Sequence, residues 1–328
     1  MVILESRMMF RWPLVLALAF LAAAPVQAQQ AYPNRPIRFI LPFATGGGTD
    51  IAARLFGQKL GEAFGQQVVV DNRPGAGGII GTELAARAAP DGYTLMMAGV
   101  NHSVIPSLHK KVPYDPVKDF APISMLVEYP HLLLVHPTVP AKSVKELIAL
   151  AKAKPGHLNY ASGGAGSVAH ITAELFKSLA AVNLVHVNYR GTGPALIGFL
   201  AGEASVAFYS VSATAQHVKA GRLRALATTG AKRSPSLPEL PTIAEAGVPG
   251  YGASNWAGVL APAATPRPII NRLHGELTRI LQLPDVKQRL ATLDFEPVGN
   301  TPEEFGAFIR KEVVKWAKVV KGAGMQAD

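Results

Sequence analysis

From Ile37 onward, short apolar runs alternate with amphipathic stretches, and this alternation limits the possible folds more than any other feature of the chain. Strands are expected at 37–41, 67–71, 94–98, 123–127, 131–135, 158–161, 184–188, 205–209, 224–228 and 256–260. Between and after them, helices are expected from about Asp50, at 77–89, after a cap at Ser143, and at 169–181, 195–201, 268–281, 285–293 and 302–322. Residues 101–122, rich in Pro, Tyr and Lys, read as irregular. Such an order implies right-handed βαβ units and a mostly parallel α/β sheet. The strands do not alternate polar with apolar residues, as expected when helices cover both faces.

Two of the strand-to-helix junctions are glycine-rich. The first reads Pro42-Phe43-Ala44-Thr45-Gly46-Gly47-Gly48-Thr49-Asp50, and the second Tyr160-Ala161-Ser162-Gly163-Gly164-Ala165-Gly166-Ser167. Glycine lets another molecule approach the main chain. The first amides of a helix have no intrahelical partner and carry the positive end of its dipole. Together these make an anion-binding geometry. The second junction also reads as an ordinary N-cap, with Ser167 capping. A third junction, Tyr189-Arg190-Gly191-Thr192-Gly193-Pro194, opens on the same sheet edge, where ligands of open α/β sheets sit. There, Arg190 either pairs with an anion or lies solvated on the surface. Trp256 either faces the cleft or is a buried aromatic. Two similar loops in two similar halves suggest two lobes around one cleft.

Other chemistries find less support. Gly164-Ala165-Gly166-Ser167-Val168-Ala169 fits the dinucleotide fingerprint, with Arg190 available for an NADP phosphate. The motif is short, however, and an exported protein has no supply of recycled cofactor. Ser162 or Ser167 beside His170 would make a base-activated pair, yet no nucleophile-elbow or P-loop pattern is present. The histidines show no zinc-protease spacing, so no metal and no cofactor are expected. The formal charge is +10, spread along the chain without a basic arm or interleaved aromatics, which argues against nucleic acid.

Residues 1–28 read as a removable leader, whether translation starts at Met1, Met8 or Met9. Arg7 and Arg11 precede an apolar stretch that ends in Pro25-Val26-Gln27-Ala28. That stretch is shorter than the about 20 residues needed to span a bilayer. The chain has no cysteine, so neither a disulfide nor a thiolate metal site is available.

With these loops in view the chain resembles the Bug-type receptors, the periplasmic solute-binding proteins of tripartite tricarboxylate transporters. The resemblance runs through Tyr32-Pro33-Asn34-Arg35-Pro36, the first glycine junction, Asp71-Asn72-Arg73-Pro74-Gly75-Ala76-Gly77-Gly78 and Ala89-Pro90-Asp91-Gly92-Tyr93. It continues in Tyr160-Ala161-Ser162-Gly163, Tyr189-Arg190-Gly191 and Leu240-Pro241-Thr242-Ile243-Ala244-Glu245-Ala246-Gly247. It implies a two-lobed periplasmic binding protein fold of type II, a carboxylate ligand, no catalysis, and membrane transporter subunits as partners of a monomeric receptor. It places lobe 1 at 29–128 plus 255–328, lobe 2 at 129–254, and the hinge near 128–130 and 254–256.

Carried onto this sequence, the resemblance assigns a water-holding loop to Phe43, Ala44, Gly46, Gly47, Thr49 and Asp50. It assigns a direct carboxylate grip to Ser162, Gly163, Ser167, His170 and the run Gly191, Thr192 and Gly193, with Gly166, Tyr189 and Arg190 alongside. Asn101 and Tyr209 belong to the segments that wall the distal end of the ligand. Two departures stand out: Thr45 replaces a usual proline, and Tyr209 replaces a common carboxylate, which disfavours an amino-acid ligand and favours a larger, aromatic acid. An exported NADP-dependent oxidoreductase and a sensor presenting ligand to a signalling kinase are the alternative readings.

Overall fold

The computed structural model describes residues 32–322 and 324–325. The leader expected over residues 1–28 lies outside them. The elements run β1 (Ile37–Leu41), α1 (Gly48–Phe64), β2 (Val68–Asn72), α2 (Ile79–Ala86), β3 (Thr94–Ala98), α3 (Asn101–Leu108) and β4 (Phe120–Val135). They continue with α4 (Val144–Ala153), β5 (Asn159–Ser162), α5 (Val168–Ala180), β6 (Val185–Asn188), α6 (Thr192–Leu200), β7 (Val206–Ser210), α7 (Val211–Lys219) and β8 (Arg224–Thr228). The last are β9 (Ser254–Pro262), α8 (Arg267–Leu281), α9 (Pro284–Thr292), β10 (Glu296–Pro297) and α10 (Pro302–Gly322).

The strands are ordered β2-β1-β3-β9-β4-β7-β5-β6, with β8 and β10 also on β4. Two parallel sets, β2-β1-β3 and β6-β5-β7, sit at the ends of this order. Between them β9 and β4 run antiparallel, and β4 changes partner midway. Its residues up to Pro130 pair with β9, while His131–Val135 pair with β7 and β8. Pro130 stands at the changeover, where its missing N–H removes a ladder donor. The result is a two-lobed α/β body whose lobes share a pair of crossing strands.

Continuous apolar strands make both cores. Leu132, Leu133, Leu134 and Val135 are all fully buried, as expected for strands covered on both faces. The helix termini follow the sequence signals. Ser143 accepts from the Glu146 amide at the start of α4. At the start of α10, Thr301 Oγ1 accepts from the Glu304 amide while Glu304 returns a carboxylate oxygen to the Thr301 amide, a reciprocal capping box.

Three expectations change. Residues 101–108 form α3 rather than irregular chain; Pro106 lies inside it, and Asn101, His102, Ser103, Val104 and Ile105 are all buried, so no amphipathic stripe marks the helix. The two strands expected at 123–127 and 131–135 are one continuous β4. Helix α7 was not expected, because it follows β7 without a loop: Ser210 ends the strand and is also the N-cap. Among the described residues no helix is long and apolar enough to cross a membrane.

Gly258 of β9 lies against the ring of Phe305 on α10. A Cβ there would stand 2.8 Å from Phe305 Cε1 and 3.1 Å from Met125 Cα. Gly258→Ala is therefore expected to cost about 1–3 kcal/mol. At about 2–4 °C per kcal/mol for a body of this size, a thermal melt reads the loss directly.

His102 and His131 are buried, and burial pushes both imidazoles down to about 4. The unfolded chain binds protons at these sites below about 6.5, where the folded chain does not. Their contribution is thus complete above that value and is lost as pH falls toward 4. His102 packs against Tyr114 and Phe120, so His102→Phe is expected to flatten the slope of Tm against pH across this window, whatever its effect at neutral pH.

Candidate functional site

Helix α1 begins at a glycine cap. Gly47 is its N-cap and no side chain caps it, so its first amides depend on partners outside the helix. The loop before it is braced from behind. Asp50 accepts from the Gly46 amide (3.1 Å), Arg54 Nε (3.1 Å) and Asn72 Nδ2 (3.0 Å). Asn72 Nδ2 also donates to the Phe43 carbonyl (3.0 Å). Asp50 therefore shapes the loop and has its carboxylate committed within it.

Thr49 is committed too, to the crossing strands. Its Oγ1 lies 2.9 Å from Tyr129 Oη, to which Asn255 Nδ2 donates at 2.6 Å. Asn255 Oδ1 in turn accepts from the Val100 amide (3.1 Å). Burial holds the Tyr129 phenol neutral, its pKa well above the usual range. Its ring covers Gly48, where a Cβ would stand 2.7 Å from Cε2.

In the second lobe, α5 starts at Ser167, whose Oγ accepts from the His170 amide at 3.4 Å. His170 Nδ1 accepts from the Gly166 amide (3.1 Å), which requires that nitrogen to be unprotonated. Helix α6 starts at Gly191, φ 122°, again with no side-chain cap. Ser162, fully buried, holds the base of the loop: its Oγ bonds the Gly164 amide and carbonyl (3.2 Å each) and lies 2.6 Å from His186 Nε2.

The loops converge. A Cβ on Gly191 would collide with Ala44, and one on Gly193 would stand 3.0 Å from the Thr45 carbonyl oxygen. Gly47 faces Thr192, at 3.6 Å from Cβ position to Oγ1, and Gly163 faces the Thr192 amide at 2.7 Å. Nearby, a Cβ on Gly77 would stand 2.5 Å from the Ala165 carbonyl oxygen, and one on Gly166 2.5 Å from Ile105 Cδ1. The two lobes thus touch backbone to backbone around the starts of α1, α5 and α6. At Gly191, both the left-handed φ and the contact with Ala44 require glycine.

The structure accordingly gathers Phe43, Ala44, Gly46 and Gly47 with Ser162, Gly163, Gly166, Ser167, His170, Gly191 and Gly193. Asn101 lies beside them, buried, donating to the Gly77 carbonyl (3.0 Å) with its Oδ1 unpartnered. Other expected residues are placed differently. Trp256 is corrected from the cleft to the core: its indole packs edge-on against Phe305 and Phe308. Tyr189 donates to Glu203 (2.6 Å), and burial together with that carboxylate pushes its pKa up to about 12. Arg190 is exposed. Tyr209 is buried beside Phe199, its hydroxyl without a partner. Sequence reasoning missed Tyr129, Asn255 and His186, which act through contacts between distant segments.

Ser162 and His186 stand as a nucleophile and base would. The hydroxyl is nevertheless buried and held by both polar atoms of Gly164, which closes the approach of an acyl carbon. Among the described residues no group of three His, Asp or Glu side chains could hold a metal ion. A cavity of about 920 Å³ lies elsewhere, beside the crossing strands, lined by Glu128, Pro130, Lys232, Asp294 and Phe295 among others.

Comparison with known proteins agrees with this geometry. Residues 52–325 match the model of the tripartite tricarboxylate transporter family receptor. Protein BugT of Bordetella pertussis is 40% identical over 306 residues, covering 92% of this chain and 93% of that one. The structure of R. palustris Rpa4515 with adipate superposes with a TM-score of 0.87 at 36% identity, covering 90% of this chain and 99% of the other. MatC of Rhodopseudomonas palustris with bound malate gives 0.84 at 33% identity, covering 88% and 100%. The chain belongs to the tripartite tricarboxylate transporter receptor family and has the periplasmic binding protein fold.

Proposed function

We propose that this chain is an exported, periplasmic receptor that captures a small carboxylate between its lobes and delivers it to the membrane subunits of a tripartite tricarboxylate-type transporter. The observation that carries this reading is the meeting of three helix starts, two of them glycine-capped, across one interlobe contact. Each such start offers amide donors with the positive end of a dipole behind them. A hydrogen bond to a charged partner is worth about 1.5–3 kcal/mol, so a few of them hold a carboxylate without a basic side chain.

In this reading the lobes are 29–128 with 255–328, and 129–254, hinged where β4 and β9 cross. The main-chain donors are the amides of Gly163 and of the first turns of α1, α5 and α6; those of Gly46, Gly166 and Ser167 are already taken by Asp50, His170 and the Gly164 carbonyl. The relatives carrying adipate and malate favour a dicarboxylate.

The test is a thermal-shift screen of mono-, di- and tricarboxylates and aromatic acids. A ligand present at 100 times its dissociation constant adds about 2.7 kcal/mol of stability. A panel in which no carboxylate raises Tm would remove the proposal, and so would recovery of a chemically altered ligand.

Ser167 separates binding from capping. Glycine is tolerated at an N-cap for only a few tenths of a kcal/mol. Ser167→Gly is therefore expected to leave the unliganded melt nearly unchanged while weakening carboxylate binding by about 1–3 kcal/mol, measured by calorimetric titration. Gly191→Ala is expected to block closure against Ala44 and to lower affinity at least as far.

A further inference from the structure

We propose that His186 is a positioning residue for the second glycine loop, acting through Ser162, a role that rests on the carboxylate-capture reading above. Ser162 Oγ has one proton to give and two lone pairs to receive. It lies 3.2 Å from the Gly164 carbonyl oxygen, which can only accept, and 3.2 Å from the Gly164 amide, which can only donate. The remaining contact, 2.6 Å to His186 Nε2, is then satisfied only if that nitrogen carries the proton and donates. With His186 in this tautomer every valence of the buried hydroxyl is used and the peptide after Gly163 is fixed. The opposite tautomer would take the serine proton for itself and leave the Gly164 carbonyl to the Ser167 amide alone (3.0 Å).

The imidazole is in turn held in place by its surroundings. Its ring stacks on Tyr160 (centroids 4.9 Å, planes 11° apart) and lies 4.7 Å from the ring of His170. Tyr160 donates to Glu174, which also pairs with Lys177, so the stack is anchored on α5. His170 braces the same loop independently, through the Gly166 amide. The two histidines thus hold Gly164 and Gly166, the positions either side of Ala165, which meets Gly77 of the facing lobe. A loop that presents its amides to an anion gains from such bracing, because ordering is completed before the ligand arrives.

Two measurements test this. In the unliganded protein, long-range proton–nitrogen NMR at pH 8 is expected to show the Nε2-protonated tautomer at His186, with the Gly164 amide resonance displaced in His186→Phe and close to its original place in His186→Gln. An Nδ1-protonated His186 would overturn the proposal.

In calorimetric titration with adipate or malate, His186→Phe is expected to lower affinity about tenfold, the equivalent of one ordinary hydrogen bond. His186→Gln, whose amide can still donate to Ser162, is expected to recover most of that loss. Ser162→Ala combined with His186→Phe is expected to do no more harm than either change alone. Equal losses in the Phe and Gln variants, additive effects, or a fall in Tm with unchanged affinity would each overturn it. If neither probe binds the wild-type protein, the function proposed above fails in that arm, and the tautomer and Gly164 resonance still decide the role of His186.

Discussion

A helix capped by glycine leaves its first amides without a side-chain partner, and in this protein two such helix starts face each other across the boundary between lobes. Buried backbone donors are rarely left unmet, because desolvating one without a partner costs about 1–3 kcal/mol. In the proposed capture, closing the lobes without a ligand therefore carries a penalty that an anion removes. The amides are aimed by rigid elements, with Asp50 and Asn72 fixing the loop before α1 and Ser162 and His170 fixing the loop before α5. Positioned main-chain donors lose no side-chain entropy when they bind, as a lysine or arginine would.

The Tyr129–Asn255–Thr49 cluster joins this cradle to the crossing strands. Tyr129 and Asn255 are cross-strand neighbours on β4 and β9, and both reach Thr49 in the first turn of α1. Asn255 also takes the Val100 amide just before α3. One buried polar group of side chains thus fixes the helix start, the preceding glycine's clearance and the crossing strands. Such networks are costly when partly satisfied and stiff when complete, which makes the start of α1 rigid.

Much of this was legible in the sequence, for reasons that differ by element. Strands β1, β3 and β8 and helix α10 were readable to the residue because local signals bound them: apolar runs ending at turns, and the Thr301-Pro302-Glu303-Glu304 start. The glycine loops were readable because a helix start that lacks a side-chain cap has few other uses. What escaped was nonlocal. Tyr129 meets Asn255 across 126 positions, and His186 meets Ser162 across 24, with no periodicity linking either pair. Helix α3 escaped because it is buried on every side, and Trp256 was ambiguous because an aromatic on an apolar strand suits a core as well as a cleft.

The excess positive charge and the neutral cradle do separate work. The chain carries a formal +10; near the loops Arg54 is paired with Asp50 and Lys177 with Glu174, while Arg190 lies exposed. Spread over the surface, that charge raises the encounter rate with anions and is screened by salt. Placed inside the cleft, a free cation would have to be dehydrated each time the lobes closed, at a cost that can exceed its attraction for the ligand. In the capture proposed above, amides at helix starts avoid that cost and hold the anion by geometry. For the release that the proposed role requires, several modest bonds broken together on opening serve better than one strong ion pair that survives it.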